Sequence, residues 1–226
     1  MKTRIFRAVC LIALCYPLQT SHAAALIYNA TLTPVPLGSG VAAGANAIGY
    51  SGAQPFTAPD YSGVLFSTFW NNDSSNPYGM ADLTFTYLIQ MDFSTQDPVS
   101  RFTISSFANY LTDVSYTTSN PSDVVPSSVN RSAAPGSLVR FTFDEAPLGP
   151  GTTSALLVIQ TDAQSYTTTE AGFIDGVGSQ ANSLAPIPLT VPEPSPTILA
   201  GLGLIGLLIV NRWNKSRSQT EVLTRQ

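Results

Sequence analysis

Between Asp82 and Met91 the apolar residues fall on alternate positions: Leu83, Phe85, Tyr87, Ile89 and Met91 share one face, with Thr84, Thr86 and Gln90 on the other. A period of two marks a strand buried on one side. Leu138 to Asp144 repeats the device, with Val139, Phe141 and Phe143 opposing Arg140, Thr142 and Asp144. Phe102 and Ile104 alternate with Arg101, Thr103 and Ser105, and Tyr110 to Thr117 reads as a further strand. Ala155 to Ile159 is apolar throughout, as expected of a central strand covered on both faces. Gly63 to Trp70 is another strand, running into the polar turn Asn71 to Pro77. Asp97-Pro98, Asn120-Pro121, Pro135-Gly136, Pro147 and Gly149-Pro150-Gly151 punctuate the runs. Seven or eight short strands without a long amphipathic helix predict an all-β fold, an antiparallel β-sandwich of about 150 residues. A core of that size holds without disulfides. Jelly-roll and immunoglobulin-like strand orders both stay open. The Ala-, Gly- and Pro-rich stretch from Ala30 to Pro59 reads either as a meandering edge or as an N-terminal arm.

Residue types narrow the chemistry. Between Leu26 and Val191 there is no Cys, His or Lys. That removes thiol and amine nucleophiles, His-dependent triads, thiolate or imidazole zinc sites and disulfides from the body. Twelve Asp and Glu residues there face only Arg101, Arg131 and Arg140. Nucleic acid is therefore disfavoured as a partner, because phosphate neutralisation requires clustered cations.

The two ends read as targeting segments. Lys2, Arg4 and Arg7 precede the apolar run Ala8 to Tyr16, and Ser21, Ala23, Ala24 and Ala25 follow Pro17. This is the three-part pattern of a secretory signal peptide over residues 1–25, with cleavage expected after Ala23 or Ala25. At the other end, Thr197 to Val210 contains fourteen uncharged residues, followed by Arg212, Trp213, Lys215 and Arg217. At ~1.5 Å per residue such a helix covers roughly 21 Å, close to a ~30 Å hydrocarbon core once Trp213 and the basic side chains reach the interface. A single transmembrane helix is expected over about residues 196–210, with a basic cytoplasmic tail at 211–226. Basic residues flank both apolar runs on the same side, so the positive-inside rule places the acidic body, residues 26–190, across the membrane.

Val191-Pro192-Glu193-Pro194-Ser195, then the short glycine-rich apolar segment, then basic residues, resembles the PEP-CTERM sorting signal of Gram-negative and related bacteria. The resemblance covers about 30 residues. It implies that the tail holds an exported protein in the inner membrane until an exosortase, a membrane-embedded cysteine transpeptidase, reads Pro192, Glu193 and Pro194 and cuts there. Two prolines favour an extended strand that a cleft takes up at low ordering cost, with one carboxylate as a handle. The basic cluster is more dilute than the family's and the chain runs on to Gln226. The same segment also occurs in some ice-binding proteins. The body, notably from Arg131 to Ile174-Asp175-Gly176, resembles the secreted portion of uncharacterised PEP-CTERM proteins, which implies no activity.

Carboxylates are the only catalytic groups left to the body, so a glycosidase built on two of them is the one enzyme class that survives. Asp144, Glu145, Asp162, Glu170 and Asp175 are its candidates. Calcium is the one cofactor that the oxygen ligands allow, with Asp162, Glu170 and Asp175 as ligands, although no regular Asp-x-Asp-x-Asp array is present. Trp70, with Tyr61, Phe69 and Tyr78 nearby, offers a surface on which sugars stack, but its place at the end of an apolar strand predicts a core role first. Thr/Ser-rich stretches at Thr112 to Ser119 and Thr167 to Thr169 suit glycan or ice binding, or plain solvent-facing sheet. The expected protein is thus a non-enzymatic, exported, membrane-tethered sandwich, handed by an exosortase to the cell surface or an extracellular polysaccharide matrix. A carbohydrate- or ice-binding adhesin and a carboxylate glycosidase are the alternatives.

Overall fold

The period-two runs pair into two sheets. The computed structural model describes residues 23–37, 41–42 and 44–189. Pro192, Glu193, Pro194, the apolar run and most of the leader lie outside the described residues. The first sheet runs β1 (Ala24–Ala25), β9 (Thr112–Thr117), β12 (Leu156–Thr161), β7 (Thr84–Met91), β6 (Ser62–Asn71) and β4 (Asn46–Tyr50). On the same sheet, β3 (Val35–Pro36) lies on β9 and β5 (Gln54–Thr57) on β6. The second sheet runs β14 (Val177–Pro186), β13 (Tyr166–Asp175), β8 (Arg101–Ile104), β11 (Val139–Thr142), β10 (Ser128–Arg131) and β2 (Thr31–Leu32). Every pairing is antiparallel except that of β3 with β9. The described residues are all-β and sandwich-like, and no helix occurs among them, hence none long and apolar enough to cross a membrane.

Each expected strand is present, and the apolar phase of β7 faces inward: Phe85, Tyr87 and Ile89 are fully buried. So are Phe102, Ile104, Val139, Phe141 and Phe173 from the second sheet. Aromatic rings join the layers. Phe56 stacks on Phe173 at 3.8 Å between centroids, and Tyr87 meets Phe102 at 5.5 Å. Such pairs add about 0.5–1.5 kcal/mol beyond burial. The one polar atom Tyr87 carries inside, its hydroxyl, donates to the Leu184 carbonyl at 2.8 Å, which avoids an unpaired buried group.

The strand count exceeds the expectation because polar sequences hide strands. Ala30 to Pro59 forms β2 to β5, a meandering edge. The Thr-rich β13 and Ser/Asn-rich β14 form a ten-residue hairpin turning at Gly176, φ +73°, a left-handed conformation that glycine adopts without strain. Asp175-Gly176 is therefore the corner of this hairpin.

Arg131, at the end of β10, is 2% exposed. Its guanidinium donates to four carbonyls: Gly136 (3.1 Å), Leu26 (3.0 Å), Phe107 (2.8 Å) and Tyr110 (2.7 Å). It also lies 4.6 Å from the Tyr28 ring centroid. One cation thereby ties the N-terminal segment, the β8–β9 loop and the β10–β11 loop together.

Candidate ligand groove

The structure moves Trp70 out of the core. In β6 the inward phase is Leu65, Ser67 and Phe69, all buried, and the outward phase is Val64, Phe66, Thr68 and Trp70, all half-buried. The expected core role belongs to Phe69 alone, because adjacent strand residues point to opposite faces. The Trp70 indole N–H donates to the Thr86 hydroxyl of β7 at 3.0 Å, which fixes the ring against the sheet.

Tyr50, the last residue of β4, completes an aromatic wall. It pairs with Thr68 in register, is 59% exposed, and its ring lies parallel to Phe66 within 4°, with centroids 6.2 Å apart. Tyr50, Phe66 and Trp70 border an open hollow of about 350 Å³ whose polar lining comes from Thr68, Thr86 and Gln90. Two adjacent hollows extend it. One of about 370 Å³ shares Tyr50 and adds Ser51, Gln54, Thr168 and Asn182. A third of about 250 Å³ shares Gln54 and Asn182 and reaches Gln180 and Glu170. These volumes lie in or near the small-ligand range of about 300–1,000 Å³. The track thus passes from aromatic rings on the outer face to side-chain amides along the β14 edge.

Local rules hold its parts in place. A Cβ on Gly49 would stand 2.0 Å from Phe69 Cε1. Only a residue without a side chain lets the Phe69 ring lie beneath β4, where it stacks on Tyr166 at 3.8 Å. The corner after Tyr50 is pinned by Gln54 Nε2 donating to the Ser51 carbonyl at 2.5 Å and by Ser67 N–H donating to the Ser51 hydroxyl at 3.1 Å.

The loop after Trp70 is anchored by Asp73, which is fully buried. Its Oδ1 accepts from Ala42 N–H, Ser75 N–H and the Ser75 hydroxyl at 3.0, 3.0 and 2.6 Å. Its Oδ2 accepts from the Thr84 hydroxyl at 2.6 Å and from Gln160 Nε2 at 3.2 Å. Burial by itself raises the pKa of this carboxyl, but the hydrogen bonds from Ser75, Thr84 and Ala42 outweigh it, and the net shift is downward.

The remaining candidates do not converge. Asp162 follows β12 and accepts from Leu111 N–H at 2.9 Å. Glu170 and Asp175 sit five positions apart on β13, on opposite faces. Asp144 and Glu145 are exposed in the loop after β11. Among the described residues no three His, Cys, Asp or Glu side chains come together to hold a metal ion. Thr112 and Ser115 are buried, so that stretch is no open hydroxyl array. Ala23 is buried and Ala25 lies in β1. Of the aromatic neighbours of Trp70 in sequence, Tyr61 is buried with its hydroxyl donating to the Phe173 carbonyl, and Tyr78 donates to Asp113. Burial and the Asp113 carboxylate push the Tyr78 phenol well up. Tyr50, Phe66 and Gln90 are not among the binding candidates that the sequence singles out, although aromatics on both phases of β6 are the available signal.

No family model, curated protein or solved structure matches this chain.

Proposed function

We propose that this chain is an exported, membrane-tethered surface protein whose sandwich binds polysaccharide along the Tyr50–Phe66–Trp70 groove, without catalysing a reaction on it. The observation that carries the binding half is the aromatic wall itself. Three rings line an open hollow on the outer side of a sheet, where Thr68, Thr86 and Gln90 supply donors and acceptors. Aromatic faces take up the apolar C–H faces of sugars, and short polar side chains meet hydroxyls. The amides of Gln54, Gln180 and Asn182 continue the same chemistry along the edge. The export half rests on the leader pattern and on the likeness of Pro192-Glu193-Pro194 and its apolar successor to a sorting signal read by an exosortase.

Affinity electrophoresis of the whole chain in mild detergent, through gels carrying the host's own extracellular polysaccharide or neutral glucans, tests the binding. Retardation that Trp70→Ala and Tyr50→Ala each abolish, with unfolding midpoints close to the parent's, is the expected result. Migration unaffected by every polysaccharide, or retardation untouched by both substitutions, overturns it. Fractionation of host cells with Pro192, Glu193 and Pro194 replaced by alanine tests the sorting: the expected outcome is retention in the inner membrane, and unchanged release refutes it.

A further inference from the structure

The sandwich has two unlike ends. At one end lie the loops 26–30, 72–83, 105–111, 132–138 and 162–165, and the outgoing residue Ile187. Register places them together: Trp70 pairs with Thr84, Thr84 with Gln160, Thr161 with Thr112, and Tyr166 with Pro186. The incoming and outgoing chain both meet β9 at this end, where Leu26 N–H donates to the Thr112 carbonyl at 2.7 Å and the Tyr110 hydroxyl to the Ile187 carbonyl at 2.7 Å.

No exposed charge is found in these loops. Asp73 and Asp82 are buried, and half-buried Asp162 accepts a backbone N–H. Exposed apolar side chains stand there instead: Ile27 at 71%, Leu111 at 58%, Met80 at 57%, Ile187 at 45% and Tyr28 at 41%. Ile27, Tyr28 and Leu111 border one apolar hollow of about 180 Å³. At the opposite end Asp60, Asp92, Asp97, Asp144 and Glu145 are all exposed. Phe93, Val125 and Val177 are exposed at that far end too, so what is segregated in a body with twelve acids and three bases is charge: the first end joins exposed apolar side chains to no exposed carboxylate, and such patches mark interaction surfaces.

We propose that this end lies in the headgroup region of the bilayer, with Ile27, Leu111 and Ile187 inserted and Tyr28 at the polar boundary. The proposal rests on the tethering reading above. Seven residues, 190–196, separate Leu189 from the apolar run, and fully extended they reach at most about 25 Å. A tether that short presents to the membrane the end from which the chain leaves, and that is the uncharged one. Apolar side chains with tyrosine at their margin suit the interface, whereas the five exposed carboxylates of the far end are kept in water.

The test uses residues 24–226, the chain left once the expected leader is removed, which hold no native cysteine. Single cysteines at Leu111→Cys, Glu145→Cys or Leu204→Cys carry a fluorophore. Each protein is reconstituted into phosphatidylcholine–phosphatidylglycerol vesicles containing a lipid with a nitroxide headgroup. Quenching at 204 and 111 that exceeds the quenching at 145 several-fold supports the proposal. Quenching at 204 with equal, weak quenching at 111 and 145 overturns the docking and leaves the tether standing. Absence of quenching at 204 removes the tether, and the docking falls with it.

Discussion

Arg131→Met removes a cation while keeping an unbranched side chain of similar reach, and its cost follows from what the guanidinium holds. Four carbonyls, of Leu26, Phe107, Tyr110 and Gly136, lose their donor together. Hydrogen bonds to charged groups contribute about 1.5–3 kcal/mol each, so four represent roughly 6–12 kcal/mol before offsets. The stack on Tyr28 adds about 1 kcal/mol. Against this stands the desolvation of a buried guanidinium, several kcal/mol that the methionine no longer incurs. Water entering beside half-exposed Tyr28 satisfies part of the rest. The net expectation is a loss of about 3–4 kcal/mol, a large share of the usual 5–15 kcal/mol of a domain, and a midpoint lowered by roughly 10 °C. Arg131→Lys, with three donor protons for four acceptors and no planar face for Tyr28, falls in between. Urea and thermal unfolding of the whole chain in mild detergent, followed by circular dichroism, measures both. A methionine variant within about 1 kcal/mol of the parent would refute the claim that this cation joins three segments.

Asp73→Ala strands the buried Thr84 and Gln160 donors and is expected to cost about 3–5 kcal/mol by the same unfolding assay. Asp73→Asn costs far less, since a turned Gln160 amide can offer it Oε1, which accepts nothing in the parent; equal losses in the two variants would contradict this. The folded pKa of Asp73 is depressed below 3.8, so its contribution is fully present above that value and lost as pH falls through the folded pKa. The parent should therefore lose stability relative to Asp73→Asn in acid titrations below about pH 4, and parallel curves would refute the assignment. Gly49→Ala drives a methyl into the Phe69 ring and is expected to cost about 1–3 kcal/mol with weakened polysaccharide retardation. An unchanged midpoint and unchanged migration would show that the ring is free to move.

Strands whose two faces differ in polarity were legible in the sequence: β7, β8 and β11 carry the inward phase expected of them. The β13–β14 hairpin was not, because its buried positions include Ala171, Ala181 and Ser183, residues too small or too polar to register as a hydrophobic face. Of its hydroxyl residues only Ser179 and Ser183 are buried, while Thr167, Thr168 and Thr169 stay half-buried or exposed, and its aromatic anchors are Tyr166 on Phe69 and Phe173 on Phe56. Trp70 was visible as an aromatic but misassigned, since Phe69 and Trp70 in sequence look like one apolar pair while the pleat sends them apart. Tyr50 lay in a stretch whose edge character was left open, and only its pairing with Thr68 brings it beside Phe66. Arg131 counted in the sequence as one of three scattered cations. Four carbonyls from distant segments carry no side-chain signal.

Strand β1 has only two residues, yet it closes the margin of the first sheet: Ala24 lies against Val114 and Ala25 against Asp113. If residues 1–25 serve as the leader expected from the sequence, the place of the cut would decide whether this margin is sealed. A cut after Ala23 leaves the two-residue cover in place. A cut after Ala25 uncovers unsatisfied backbone on β9 and puts a new ammonium group on buried Leu26, leaving a sticky seam at which neighbouring molecules can add strand to strand. On the surface reading proposed above, the earlier cut keeps the margin covered, and Ala24 and Ala25 would then guard against self-association.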